Sequence, residues 1–171
     1  MITAVELPLP LQSQLRAEAL SACPRECCGL LEGVVEDSLA RVVALHPMSN
    51  VANEADRFEI DPAQQIALLR VLRGTEHAII GCYHSHPNGR AEPSERDRES
   101  AIEPDFLWLI CAVKESIQTS SIAGFVSGGQ SYSPVRIVHQ LPGTAGRRPA
   151  AGKDARGPGK GSLDRSAAPP I

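Results

Sequence analysis

Apolar positions along the chain change their spacing several times, and the changes mark out its elements. From Pro10 to Ala22, Leu11, Leu15 and Ala19 recur at helical intervals, which predicts a helix. Cys28 to Val35 reads as a first strand, with Arg41 to Leu45 and Arg57 to Ile60 as two more. Asp61-Pro62 is a good helix start, an Asp cap followed by proline in the first turn, and Ile66, Leu69 and Leu72 supply that helix with a buried face. Ala78 to Tyr83 is a short apolar run with β-branched residues, the mark of a strand. Ser94 to Ala101 reads as helical. Phe106 to Val113 is continuously apolar and suits a central strand, and Ile117 to Val138 holds later strands broken at Gly128-Gly129 and Pro134. Helices and strands interleave without an internal repeat, so the fold class is α/β.

The chemistry gathers where the 78–83 strand ends. Strand side chains alternate faces, so His84 and His86 point the same way and their rings can converge on one ion, while Ser85 points to the other side. Pro87, Asn88, Gly89 and Pro93 break the strand into a loop. Asp97 then falls in the first turn of the next helix, where its carboxylate can swing back as a third ligand. Two histidines and one carboxylate leave the fourth position of tetrahedral zinc to water, which is the arrangement of a catalytic site. Plainer readings compete. Ser94 and Asp97 have the spacing of a capping box, and paired histidines at a strand end can be ordinary polar groups at a solvent boundary. The capping geometry and the metal role are compatible with each other.

The pattern His84-Ser85-His86, seven residues, Ser94, two residues, Asp97, with Glu26 far upstream, resembles that of the JAMM (MPN+) metallopeptidases. Glu26 stands in Pro24-Arg25-Glu26-Cys27-Cys28-Gly29-Leu30-Leu31, similar to a segment of small bacterial members. The resemblance continues through Asn50, Asn53 and Phe58 to Pro62, and covers roughly residues 1 to 138. It implies a curved mixed β-sheet flanked by helices, the cytidine-deaminase-like arrangement of MPN domains. It implies one Zn2+ per chain held by His84, His86 and Asp97, Glu26 as acid and base toward the activated water, and Ser94 as donor to the substrate carbonyl. Residue type fits role: zinc lowers the pKa of a water to about 7, within reach of a carboxylate base, and the developing oxyanion needs a donor. Small bacterial members imply, as substrate, a ubiquitin-like sulfur-carrier protein cut beyond its C-terminal Gly-Gly, with the extended tail recognised by pairing to a strand edge. A non-catalytic MPN scaffold and a RadC-like protein are the alternatives. Members of the first kind usually lack the ligands, and the second carries His-Asn-His-Pro where this chain has Ser85. A zinc deaminase needs His-x-Glu and Pro-Cys-x-x-Cys, which do not occur here.

Composition narrows the partners. With 171 residues and 42% hydrophobic content the chain can bury one core, expected over residues 1–141. Residues 142–171 carry only Leu163 and Ile171 as large apolar side chains among Gly, Pro and Ala, which predicts a disordered tail. Six basic and two acidic residues give that tail +4, which leaves −7 on the body and −3 overall. An acidic body argues against nucleic acid as partner. No run approaches the length of a membrane span and no secretion signal opens the chain, so a cytoplasmic protein without membrane contact is expected. A homodimer stays open. Cys23, Cys27, Cys28, Cys82 and Cys111 match neither a disulfide framework nor a second zinc motif. Cys82 shares the face of His84 but sits two residues deeper, where packing below the site is expected.

Overall fold

The computed structural model describes residues 1–100, 103–114, 119–129 and 131–139. Its elements are β1 (Ala4–Glu6), α1 (Leu9–Ala22), β2 (Cys28–Glu36), β3 (Leu39–Met48), α2 (Pro62–Leu72), β4 (Ala78–His86), α3 (Glu95–Ser100), β5 (Leu107–Lys114), β6 (Thr119–Ser127) and β7 (Tyr132–Val138). The expected tail, residues 142–171, lies outside the described residues.

The strands form one mixed sheet in the order β1-β3-β2-β4-β5-β6-β7, and it closes because β7 pairs in parallel with β1. β4 runs parallel to β5 and antiparallel to β2, which places it centrally. Strand alternation sorts its neighbours onto two faces. Leu31, Tyr83, Leu109 and Cys111 join Leu15 and Ala19 of α1 in one core. Leu30, Cys82 and Trp108 join Leu68 of α2 in another. Covered on both faces, β5 is buried from Leu107 to Val113, which explains its unbroken apolar run. Gly29 lets Tyr83 cross β2: a Cβ there would meet the tyrosine ring at 2.3 Å. The Tyr83 hydroxyl then donates to Glu18 Oε2 at 2.8 Å, tying β4 to α1.

Three expectations need correction. The buried face of α2 is Leu68 with Leu72 packed beside it, whereas Ile66 and Leu69 are 48% and 50% exposed. Residues 57–60 form no regular strand; a single bridge joins Ile60 to Asn50, and the segment is held by side-chain hydrogen bonds instead. Pro134 does not break β7, because it pairs with Phe125 while its other side lies outside the β1 ladder, which begins at Arg136. Closure rests on β1, a strand of three residues that hydrophobic spacing does not reveal; it pairs with Leu39 to Arg41 of β3 and with Arg136 to Val138 of β7. The Asp61 cap holds, accepting from Ala63 N at 2.8 Å. Among the described residues no helix is long and apolar enough to cross a membrane.

Candidate metal centre

β4 delivers His84 and His86 at its C-terminal end, between β2 and β5, where they are 0% and 3% exposed. Ser85, on the opposite face, accepts from Cys27 N at 2.8 Å and locks β4 to the start of β2. Asp97 comes from α3. Its Oδ1 lies 3.3 Å from His84 Nε2 and its Oδ2 3.4 Å from His86 Nε2, and the two Nε2 atoms are 3.0 Å apart. Among the described residues this is the one group of three ligand-type side chains whose donor atoms all fall within 4.8 Å of one another.

The surroundings fix the ligand atoms. His86 Nδ1 lies 2.8 Å from the Arg90 carbonyl, an obligate acceptor, so Nδ1 carries a proton and the neutral imidazole presents the Nε2 lone pair to the cluster, whereas the protonated ring donates from Nε2 to Asp97. Phe58 stacks on His84 with ring centroids 4.4 Å apart. Ser94 and Asp97 do form the capping box: Asp97 N donates to Ser94 Oγ at 3.1 Å and Ser94 N donates to Asp97 Oδ2 at 2.6 Å. The Ser94 hydroxyl oxygen is thus used as an acceptor, and its own proton is available to the cleft that Ser94 lines. Tyr132 donates to the Asp97 carbonyl at 2.9 Å, pinning α3 from β7.

Electrostatics separates the buried acids. Burial pushes the Asp97 carboxyl up, but hydrogen bonds from His84, His86 and Ser94 outweigh it and hold it well below the usual carboxylate range. Burial lowers His84, keeping it neutral. His86 is raised, burial being overcome by Asp97 and the Arg90 carbonyl. Glu26 behaves in the opposite way to Asp97. It is 8% exposed, and burial, with Asp97 adding to it and His86 opposing, lifts it to about 7. A buried, ionised carboxylate beside two imidazole nitrogens suits a divalent cation, and a second acid poised near neutrality suits proton transfer. All five residues singled out in the sequence come together here; Glu26, Ser94 and Asp97 line one cleft of ≈ 350 Å³ with Phe58 and Trp108.

Sequence reasoning did not assign roles to Asn50, Phe58, Trp108 or Tyr132. Asn50 Nδ2 donates to the carbonyls of Glu26 and Arg57, both at 2.9 Å, and its Oδ1 accepts from Ala52 N and Glu59 N, so it fastens the Glu26 backbone to the 50–59 loop. Cys82 lies in the core with Leu30, Leu68 and Trp108, below the site as expected. Cys23, Cys27 and Cys28 form no second ligand cluster among the described residues.

The chain is similar to known proteins. Residues 8–123 match the family of prokaryotic homologues of the JAB domain. A desampylase of Haloferax volcanii is 41% identical over 102 residues, 58% of this chain and 71% of the relative. A Thermus thermophilus protein named "Probable TtuB-protein conjugate cleaving protease" is 36% identical over 101 residues, 56% of this chain and 62% of the relative. A solution structure of a protein from Desulfitobacterium hafniense superposes with a TM-score of 0.69 at 28% identity, covering 81% of this chain and 92% of that one. The chain belongs to the prokaryotic homologues of the JAB domain and is a hydrolase of the JAMM type.

Proposed function

We propose that this chain is a zinc-dependent isopeptidase that cleaves after the C-terminal Gly-Gly of a ubiquitin-like sulfur-carrier protein. The observation that carries the reading is the meeting of three convergent ligand atoms with a buried Glu26 raised to about 7. His84 Nε2, His86 Nε2 and an Asp97 oxygen would hold the ion. When bound, the ion supplies a Lewis acid that acidifies a water and polarises a carbonyl oxygen. Glu26 takes the proton from the attacking water and returns it to the leaving amine, a task that demands a pKa near the working pH. The Ser94 hydroxyl donates to the carbonyl oxygen as charge develops on it. Phe58 and Trp108, packed edge to face with ring centroids 6.1 Å apart, give the cleft an apolar wall. The substrate class is supported by the relative named as cleaving protein conjugates. A cytoplasmic location goes with that substrate.

The test is metal content together with turnover of a Gly-Gly-linked carrier conjugate, before and after chelation. One zinc per chain with cleavage that chelation abolishes and zinc restores is the expected result. Cleavage that survives complete removal of metal would overturn it.

A further inference from the structure

Both backbone groups of Glu26 are held by one loop, and a single side chain organises that loop. Glu26 N donates to the Ala55 carbonyl at 3.1 Å, and the Glu26 carbonyl accepts from Asn50 Nδ2 at 2.9 Å. The following N–H, that of Cys27, donates at 2.8 Å to Ser85 Oγ, between the two histidines of β4. Glu26 is thereby held to the ligand-bearing strand on one side and to residues 50–59 on the other.

Asn50 uses every bonding position of its amide on backbone. Nδ2 donates to the carbonyls of Glu26 and Arg57, and Oδ1 accepts from Ala52 N at 3.0 Å and Glu59 N at 3.1 Å. Two of these partners can only accept and two can only donate, so the amide has one orientation. The Arg57 carbonyl and the Glu59 N–H belong to the two peptide groups that flank Phe58, whose ring stacks on His84 at 4.4 Å. One side chain therefore sets both the backbone from which Glu26 enters the cleft and the ring behind His84. Arg25 donates to the Ala52 and Asn53 carbonyls of the same loop, but reaches neither Glu26 nor the Phe58 peptide groups. Aspartate at position 50 would keep the shape and turn both donors into acceptors facing carbonyl oxygens.

We propose that Asn50 is a positioning residue: it acts through Glu26, holding that carboxylate within reach of the attacking water while keeping Phe58 against His84. This rests on the peptidase reading above. Proton transfer is steeply sensitive to placement, since a shift of about 1 Å costs on the order of 100-fold in rate.

The zinc-loaded wild type, Asn50→Asp, Glu26→Gln and the double variant are compared for turnover of a Gly-Gly-linked carrier conjugate. Asn50→Asp is expected to lower kcat about 10- to 100-fold, with KM within about twofold and one zinc retained. In the Glu26→Gln background the same change is expected to cost less than about twofold, because the group it acts through is already gone. Asn50→Ser, which keeps one donor, shows the same split with a smaller loss. Gln64→Ala, which removes two hydrogen bonds to the neighbouring Ser49 without touching Glu26, leaves kcat and KM unchanged. Amide exchange on the metal-free proteins reads the geometry without turnover: in Asn50→Asp, protection of Glu26 N falls about tenfold or more, while that of Ser85 N, bonded to the Cys27 carbonyl at 3.0 Å, stays. Equal losses of kcat in both backgrounds, or unchanged exchange at Glu26 N, would overturn the positioning role. A wild type that turns over no conjugate would remove the peptidase reading instead, and the exchange result would then decide whether Asn50 places Glu26.

Discussion

At the scale of single residues, the acids of the site are told apart by what surrounds each carboxylate. Asp97 is ringed by donors and stays ionised, whereas Glu26 is desolvated without enough of them and is raised to about 7. A carboxyl whose folded pKa lies above its unfolded value of 4.5 binds protons more tightly in the native state, so its contribution to stability falls as pH rises from about 4.5 to about 7. At about 1.4 kcal/mol per unit, the metal-free protein gives up about 3 kcal/mol at this residue by pH 8. Glu26→Gln removes the titration while keeping the shape. Denaturant unfolding of the metal-free proteins is expected to show the variant the more stable at pH 8 and the two nearly equal at about pH 4. Turnover is expected to fall at least 100-fold with zinc retained. Equal stability at both pH values would mean that Glu26 is not desolvated, and undiminished turnover would remove it from the chemistry. Asp97 and both histidines are legible in the sequence because their spacing is uncommon and their chemistry restrictive, whereas Glu26, far upstream, is singled out only by the family resemblance. Asn50, Phe58, Trp108 and Tyr132 are not. They are ordinary residue types, and only folding brings the Tyr132 hydroxyl to the Asp97 carbonyl or aims all four Asn50 contacts at two chain segments.

At the scale of elements, legibility depends on how sharply one period excludes the others. β4 and β5 are plain, because a short apolar run ending in two histidines and a longer one buried on both faces fit no helix of useful length. α2 is ambiguous: Ile66, Leu68, Leu69, Val71 and Leu72 surround the helix with apolar groups, so stripes through Ile66 and Leu69 or through Leu68 and Leu72 fit almost equally well. The neighbours decide. Leu68 enters the cluster of Leu30, Cys82 and Trp108, leaving Ile66 and Leu69 half exposed. Leu68→Ala is accordingly expected to lower unfolding free energy by about 2–4 kcal/mol, and Leu69→Ala by less than about 0.5 kcal/mol. Thermal or urea unfolding of the pair checks this, and a reversed order would put the other face against the sheet. α3 shows a different dependence. Six residues cannot sustain a helix alone, so its placement of Asp97 relies on the capping box and on Tyr132.

At the scale of the whole molecule, the α/β class follows from the interleaved periods, but closure of the sheet does not. It depends on three residues of β1, whose backbone groups gain partners on both β3 and β7 and whose Val5 is fully buried. The larger core, Val5, Leu15, Leu31, Tyr83 and Leu109 among it, contains none of the ligands and lies on the sheet face away from them. Folding is therefore separable from metal binding. The two imidazoles and the Asp97 carboxylate lie within 3.0–3.4 Å of one another. An ion that binds only the native state adds about 2.7 kcal/mol at a hundredfold excess over its Kd. For a domain of this size that corresponds to a Tm shift on the order of 10 °C. Chelation is expected to lower Tm by about that amount while the far-UV circular dichroism at 25 °C stays unchanged and unfolding remains a single transition. Loss of the spectrum on chelation would show that the ligands hold the fold as well as the ion, and would tie β4 and α3 to the metal rather than to the core beneath them.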